Sequence, residues 1–338
     1  MTMTLQWLAI TAIYFEYGQA FRSGLVDDLK DAYCTTPTPL IFDGRLSTGH
    51  PPVDDQICAL VAFFRHATTD QECLTTLVYV LGNLAVPAIF LLVEPCRQPR
   101  ITGILKQQQP PAISFQRFLA YPTILGLMYQ AVSMGPTMSI YWMLFIQSTR
   151  IQERPLYVSR ADAEGIITAI TAGMFLPTFA MIVSAQPIFT WLWQIFPVLV
   201  WGIHRGYVRI ALRPCGAKNQ QMGNTLIHDL FVFVFLMCWV LHAMVVYPII
   251  MDIDALKAIV IPSVANLPPT VSIGRRIADF LKWDGAIGML STMLGSLWFT
   301  TTRRETLGMM GWYMLTVPLV GPGSAVAGVL IWREKRLS

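Results

Sequence analysis

Long apolar runs, separated by short charged or proline-rich stretches, dominate the pattern of this chain. Several runs approach or exceed the roughly 18 to 20 residues that a helix needs to cross a bilayer, and none alternates as barrel strands do. The pattern predicts spans in the segments 73–93, 113–148, 164–185, 188–201, 225–247, 285–301 and 307–332. A shorter run, 2–15, is either a further span or an interfacial anchor. We therefore predict an all-α fold, a polytopic transmembrane helical bundle of about eight spans.

Two of these segments are divided by turn-forming residues. Gly135-Pro136 splits 113–148 into two spans joined by a tight turn, or into a re-entrant pair. Gly321-Pro322-Gly323 is expected to kink 307–332. A strict count of spans then places the basic C-terminal sequence REKR on the side of the N-terminal loop. The positive-inside rule argues against that placement, so either one weak segment is miscounted or the tail is an exception.

Composition and charge agree with a membrane protein, because 54% of the 338 residues are hydrophobic and only 13% are charged, against about 25% in a soluble domain. Residues 1–72 hold nine acids and four Lys or Arg, whereas residues 97–218 hold eleven Lys or Arg and three acids. The basic loops therefore lie in the cytosol and report topology; they do not indicate nucleic-acid binding. We divide the chain into 1–72, an N-terminal anchor or span plus an acidic non-cytosolic loop, and 73–338, the transmembrane helical bundle.

Motifs for common cofactors are missing from the sequence. It contains no GxxxxGK[ST] and no HExxH, no GxSxG, no GxGxxG between a strand and a helix, and no paired DxxxD that would bind Mg²⁺ and a prenyl diphosphate. None of the six cysteines forms a CxxC pair, so we expect no metal site of that type and no cofactor. Cys34 and Cys58 fall in the non-cytosolic segment, where they form a disulfide or stay buried free thiols.

Three carboxyl groups at or within predicted spans are candidates for catalysis: Asp229, then Glu94, then Glu16. A carboxylate inside a span costs roughly 2.5 to 3.5 kcal/mol on insertion scales, so it usually faces the protein interior and marks function. We expect Asp229 and Glu94 at the same cytosolic end of their helices, where one pocket can contain both, and Glu16 at the opposite end. The plainer alternatives are a helix cap for Asp229 and solvated end residues for the other two.

Aromatic side chains provide candidate substrate contacts. Trp191, Trp193 and Trp239 are expected to form walls of a cavity, because the π faces of their rings stabilise a developing cation. His242 is a further candidate contact, and Tyr247 is placed to orient an oxygen atom of the substrate. The alternative is an interfacial belt of rings or a lipid-facing stripe.

Three sequence features form a layout that resembles a known family: FDGRLSTGHPPVDDQICALVAFF before the first strong span, Glu94-Pro95 at the end of that span, and HDLFVFVF opening a later one. The layout resembles the fungal membrane-bound terpene cyclase family of the ascofuranone and ascochlorin type, from secondary-metabolite clusters. The resemblance implies cyclisation of a prenyl chain on an aromatic or polyketide head, often from a terminal epoxide. It extends to hydrolases that open polyketide epoxides. The chain departs from the shorter meroterpenoid cyclases, which lack its long N-terminal loop.

We accordingly expect a cofactor-independent membrane terpene cyclase, in which an acid opens a prenyl-chain epoxide or protonates an alkene and a meroterpenoid cyclises. A carboxyl group in an apolar pocket suits this step, because desolvation keeps it protonated near neutral pH. The close alternative is a membrane epoxide hydrolase or cyclase acting on a polyketide epoxide. From other classes, the alternatives are an exporter of a lipophilic metabolite and a structural or chaperone-like membrane protein.

The same hypothesis predicts the partners of the protein and its location in the cell. The partners are a lipophilic small-molecule substrate and the lipid bilayer, with other enzymes of the pathway as candidates and no nucleic acid. The expected location is the endoplasmic reticulum membrane, with several passes through it.

Overall fold

A computed structural model describes residues 1–34, 50–99, 122–148, 156–184, 186–211 and 217–337, and helices account for nearly all of them. The first seven α-helices are α1 (Thr2–Ala12), α2 (Gly18–Arg22), α3 (Leu25–Tyr33), α4 (Pro51–Thr69), α5 (Gln71–Val93), α6 (Pro122–Val132) and α7 (Met134–Ser148). The others are α8 (Arg160–Ile170), α9 (Leu176–Ser184), α10 (Pro187–Gln194), α11 (Phe196–Ala211), α12 (Ala217–Val245), α13 (Ile253–Ile259), α14 (Ile273–Ser296), α15 (Arg303–Val320) and α16 (Pro322–Leu337). One short antiparallel pair, β1 (Gln98–Pro99) with β2 (Leu156–Tyr157), interrupts them. The predicted all-α class is confirmed apart from this pair.

Three helical segments are long and apolar enough to cross a membrane: Gln71–Cys96, Arg160–Ser184 and Gln221–Ile249. They correspond to the predicted spans 73–93, 164–185 and 225–247. The finer count of about eight spans stays a prediction, and part of the predicted span 113–148 lies outside the described residues.

The helices α5 and α14 form the centre of the bundle. α5 packs against α4, α12, α14 and α16, and α14 packs against α5, α7 and α1. Asp70 begins α5 by accepting the N–H of Cys73 at 2.9 Å, an N-cap that satisfies one of the open donors of the first turn. Near the other end of α5, Phe90 stacks on Trp142 of α7 with the ring centroids 5.1 Å apart. The apolar sequence of α5 is thus explained by neighbours on most of its faces.

The start of α14 corrects the predicted span 285–301, because the helix begins at Ile273. Its first turns carry buried charges that have partners. Arg276 pairs with a carboxylate of α3 at 2.5 Å, and Lys282 pairs with Asp279 at 3.3 Å. A charged stretch can therefore belong to a buried helix when each charge is compensated, which a search for uncharged runs does not detect.

The predicted kinked span 307–332 is also corrected, because the chain there forms two antiparallel helices. Gly321 has a φ of 88°, a conformation that glycine adopts readily, and it separates α15 from α16. Arg336 near the end of α16 pairs with Glu305 at the start of α15, 3.1 Å apart. The basic C-terminal end therefore lies beside the start of α15.

A disulfide joins Cys34, at the end of α3, to Cys58 in α4. Of the two alternatives for these cysteines, the structure has the bonded one. The link holds α3 against α4, and both helices contribute to the cavity described next. Cys73, Cys96 and Cys238 are free thiols, and Cys215 lies outside the described residues.

Candidate functional site

A cavity of about 660 Å³ lies between the N-terminal helices α2 to α4 and the bundle helices, chiefly α5, α6, α9 and α14. Its wall is mostly aliphatic, with aromatic rings from several helices. Phe64 and Trp193 lie with ring centroids 4.7 Å apart, and Phe63 and Phe280 lie 5.5 Å apart. Pockets for small molecules are typically about 300 to 1,000 Å³ and mainly apolar, so the size and lining suit one lipophilic molecule.

Three polar side chains of this wall, Tyr17, Ser133 and Asp284, lie next to one another. The cavity is also lined by the polar residues Lys30, Gln56, Gln130 and Thr178. Glu16 is adjacent but fully buried, and Ser133 donates its hydroxyl to a carboxyl oxygen of Glu16. Gly135 donates its backbone N–H to Oδ1 of Asp284 at 2.5 Å. Two carboxyl groups from distant parts of the sequence thus meet at the junction of α6 and α7. We call Glu16 and Asp284 the carboxyl pair.

Two irregularities of the backbone place these groups. The residues Ile13–Tyr17 form a π-helical turn between α1 and α2, and this turn carries both Glu16 and Tyr17. Ser133, between α6 and α7, has a φ of 73°, a left-handed conformation that residues with a side chain rarely adopt. Wide helical turns and strained backbone occur often at functional sites, because they redirect side chains at a cost in stability.

Gly135 keeps the two carboxyl groups close together. A Cβ at this position would lie 3.4 Å from Oδ1 of Asp284. It would also approach Oε1 of Glu16 more closely than the 3.0 Å below which real Cβ atoms essentially never come. Both carboxyl groups therefore contact the space that the missing side chain leaves. The same residue supplies the amide that binds Asp284, so any side chain here would disturb the pair.

In the part of the chain that the structure describes, no cation pairs with the carboxyl pair. Among the described residues, no Lys, Arg or His side chain forms an ion pair with Glu16 or Asp284. Oε1 of Glu16 is buried and has no hydrogen-bond partner among the same residues. Two adjacent buried carboxyl groups without a cation cannot both carry a charge at reasonable cost, so we expect the pair to hold at least one proton.

The structure separates the three predicted acids. Asp229, the first choice, lies on the surface of α12 with 66% of its side chain exposed, and it pairs with His228 at 3.1 Å. Glu94 is held by Arg333 at 2.6 Å and by Arg97 at 2.9 Å. Neither acid lines the large cavity, so the shared pocket expected for them does not form there. Glu16, the third choice, is the one beside the cavity.

Of the five predicted substrate contacts, one lines the cavity and four do not. Trp193 lines the cavity and donates its indole N–H to Thr178 at 2.9 Å. Trp191 and Trp239 do not line it, and Trp239 is 41% exposed on α12. His242 is buried against Tyr79, whose hydroxyl lies 2.9 Å from Nδ1, and Tyr247 donates its hydroxyl to a backbone carbonyl of α15. The last two side chains thus connect helices away from the cavity.

Sequence reasoning missed Asp284 as a site residue. The predicted span began at residue 285, so Asp284 counted as the last charge of a loop. A signal was nevertheless present, because Asp284, Gly288 and Ser291 follow helical spacing and give one side of α14 small and polar residues. Ser291 lies on that side within 2.6 Å of the Ser139 hydroxyl of α7. Ser133 had no comparable signal.

The CtvD domain family model matches residues 44–338. Neither the curated proteins nor the solved structures contain a match. The matched segment includes Ser133, Gly135 and Asp284, and Glu16 precedes it.

Proposed function

The chain belongs to the CtvD domain family, and we propose that it opens an epoxide in a lipophilic substrate by acid–base catalysis and guides cyclisation of the product. In this proposal it is a cofactor-independent membrane cyclase of fungal secondary metabolism. The observation that carries the proposal is the carboxyl pair, which has no cation partner among the described residues and lies beside an apolar, aromatic cavity.

The cavity supports a substrate with a long apolar chain. Its wall offers hydrophobic surface along α4 and α5, and most of the wall cannot hydrogen-bond. A prenyl or polyene chain fits such a wall, because burial of apolar surface contributes roughly 25 cal/mol per Å². The polar part of the wall at Tyr17, Ser133 and Asp284 is where an epoxide oxygen would bind.

The proposed reaction begins with both carboxyl groups protonated, because neither forms an ion pair with a cation among the described residues. Asp284, which lines the cavity, donates its proton to the epoxide oxygen, and a C–O bond of the epoxide breaks. The carboxylate left on Asp284 accepts the N–H of Gly135 at the start of α7, where the helix dipole favours negative charge. The remaining proton on Glu16 is shared within the pair, an arrangement that stabilises a single negative charge between two carboxyl groups.

The positive charge that develops on carbon lies among the rings of the cavity, including Phe280 and Trp193, whose faces stabilise a cation. An alkene or hydroxyl of the same substrate then attacks this carbon and closes a ring. The proton released from the product returns to Asp284, so the product is an isomer of the substrate. Glu16 does not line the cavity; it acts through Asp284 and is a positioning residue.

Hydrolysis of a polyketide epoxide is the second candidate. The hydroxyl groups of Tyr17 and Ser133 favour it, because both line the cavity beside Asp284 and can hold a water molecule at the opened carbon. Water would then replace the internal nucleophile, and Asp284 would take the proton that water loses. The product would be a diol, heavier than the substrate by one water.

We further propose a multi-pass location in the endoplasmic reticulum membrane. The disulfide between Cys34 and Cys58 requires an oxidising compartment, and the ER lumen is one. The basic residues Arg97 and Arg336 lie at the ends of α5 and α16, as expected for a cytosolic face.

Product analysis in microsomes from a heterologous host tests the proposal. The microsomes receive an epoxyfarnesyl phenol or, separately, a polyene epoxide. The wild type is compared with Asp284→Asn and with Asp254→Asn, a control whose side chain is 95% exposed. We expect Asp284→Asn to lower turnover by about 10²- to 10⁴-fold, the usual contribution of a general acid. The protein amount and the control should be unchanged.

The products distinguish the alternatives. A cyclic isomer of unchanged mass supports the cyclase, and a gain of one water supports the hydrolase. If neither substrate changes although intact protein is present, the result contradicts the enzyme proposal and favours an exporter. Uptake of the substrate into vesicles would then be measured. Full turnover by Asp284→Asn would contradict the assigned acid.

A further inference from the structure

A second cluster of reactive side chains lies away from the carboxyl pair, where the end of α5 meets α8 and α11. It consists of Cys96, Asp162 and His204. One ligand atom from each residue, a thiol sulfur, a carboxylate oxygen and an imidazole nitrogen, lies within 4.8 Å of the other two. Cys96 follows the cavity-lining Ala88 by eight residues, about 12 Å along a helix, so the cluster is separate from the proposed catalytic site.

The spacing of the nitrogen and oxygen atoms suits a tetrahedral metal ion. Nε2 of His204 lies 3.4 Å from Oδ1 of Asp162. Nitrogen and oxygen ligands about 2.0 to 2.2 Å from zinc, at a tetrahedral angle, are about 3.4 Å apart. Nε2 is buried and meets no hydrogen-bond geometry among the described residues, although it lies within ion-pair distance of Asp162. A buried imidazole nitrogen beside both a carboxylate and a thiol is in the position of a metal ligand.

Neighbouring groups hold these ligands in place. Ser159 donates its hydroxyl to Oδ2 of Asp162 at 2.6 Å, which leaves Oδ1 directed towards His204. Such a hydrogen bond to a ligating carboxylate is the usual outer support of a metal site. The three ligands come from three helical elements, so a bound ion would connect α5, α8 and α11.

The charges also permit a divalent cation. A thiolate and a carboxylate with a neutral imidazole carry two negative charges, which Zn²⁺ balances. Cys96 interacts electrostatically with the carboxylate of Asp162 and with the guanidinium groups of Arg205 and Arg97. Arg97 is already paired with two acids, Glu94 and Glu334, so it does not need Cys96 as its partner.

We propose that Cys96, Asp162 and His204 form a zinc site that fastens the ends of α5, α8 and α11. A sulfur, a nitrogen and an oxygen ligand make a set that zinc accepts, and three protein ligands leave a fourth position that water can fill. The softer thiolate and imidazole select zinc over Mg²⁺ or Ca²⁺, which prefer oxygen ligands. The side chains of Asp162 and His204 are 20% and 16% exposed, so solvent reaches the site without dominating it.

Metal binding by the purified full-length protein in detergent tests this proposal. Chelator-treated protein is reloaded with Zn²⁺, dialysed and measured for zinc per chain by mass spectrometry. We expect one zinc per wild-type chain and a loss of most of it in His204→Ala. The matched control is His228→Ala, which removes the histidine of the surface pair with Asp229 and should retain the wild-type zinc content.

Replacement of zinc by Co²⁺ gives an absorption band that depends on the thiolate ligand alone. The wild type should show thiolate-to-cobalt charge-transfer absorption, and Cys96→Ser should lose that absorption. Saturating Zn²⁺ should raise the thermal midpoint of the wild type and not that of Asp162→Asn, because a ligand that binds only the folded state stabilises it.

Three results would overturn the proposal. They are wild-type protein that retains no zinc after dialysis, wild-type protein without charge-transfer absorption on cobalt titration, and Cys96→Ser that keeps this absorption. The first two use only the wild type, so a failure of a variant to fold does not prevent the test.

Discussion

Two sets of buried carboxyl groups in this bundle differ in what surrounds them. Glu94 accepts two hydrogen bonds from Arg333, at 2.6 and 2.7 Å, and one from Arg97 at 2.9 Å. The carboxyl pair of Glu16 and Asp284 has only hydroxyl and amide partners among the described residues. With Glu334, which pairs with Arg97, the first set has two acids and two arginines and is balanced in charge, whereas the second set is not.

The difference indicates that the two sets have different roles: the first stabilises the fold, and the second is a candidate for catalysis. A buried ion cluster in which each charge has an opposite charge beside it needs no function to explain it. A buried carboxyl pair without a cation costs free energy in the folded protein, and its presence calls for another reason. Under the proposed function the adjoining cavity gives that reason, since a neutral acid in an apolar pocket is what epoxide opening would require.

The largest expected effect comes from breaking the balanced set with Glu94→Gln. Arg333 would lose its carboxylate, and removal of one partner of a buried ion pair typically costs about 3 to 5 kcal/mol of folding free energy. The measurement is the thermal midpoint and the monodisperse yield in detergent. The control is Glu305→Gln, which removes a surface partner of Arg336 and should leave the midpoint in place. A Glu94→Gln protein that melts like the wild type would show that the cluster does not support the fold.

An intermediate effect is expected from Gly135→Ala, which disturbs the carboxyl pair without changing a charge. The added Cβ collides with Glu16, and overpacking of this kind typically costs about 1 to 3 kcal/mol. Turnover should fall by more than the loss of folded protein, because the carboxyl groups move apart. The comparison variant is Gly202→Ala, where a Cβ meets nothing within 4 Å. Equal turnover in both variants would show that the proposed site does not depend on Gly135.

The smallest effect is expected from Asp229→Asn. Its carboxylate is exposed on α12 and contacts only the neighbouring His228 in the described structure, so both turnover and the thermal midpoint should match the wild type. Microsomal turnover per unit of protein is the measurement. A loss of turnover without a change in the thermal midpoint would support Asp229 as the catalytic acid, as its sequence context suggested.

The sequence predicted the parts of the fold that depend on long apolar runs. The runs that contain Leu77 and Phe231 are helices, and both side chains are fully buried. The α5 run is mostly buried and the α12 run is mostly not, so a long apolar run predicts a helix but not how far neighbours cover it. Two errors have one cause. The start of α14 and the division at Gly321 were missed because a run of apolar residues says nothing about compensated charges or about a reversal of direction.

The candidate site was predictable only in part. Glu16 was identified as a carboxyl group near the membrane boundary, but its importance depends on contacts with Ser133 and Asp284, which are far away in sequence. Glu94 had the stronger local signal, and its partner Arg333 lies 239 residues later. Whether a buried acid is compensated is therefore a property of tertiary packing, which a pattern of single residues cannot show.

The central claim is that Glu16 and Asp284 act as one acid, and a double-mutant comparison of turnover tests it most directly. Glu16→Gln, Asp284→Asn and the double variant are assayed in microsomes with the same epoxide, at equal amounts of folded protein. If the pair acts as a unit, each single variant loses about as much turnover as the double variant, since effects within a catalytic unit are not additive. Wild-type turnover by Glu16→Gln, or losses that multiply in the double variant, would contradict the claim.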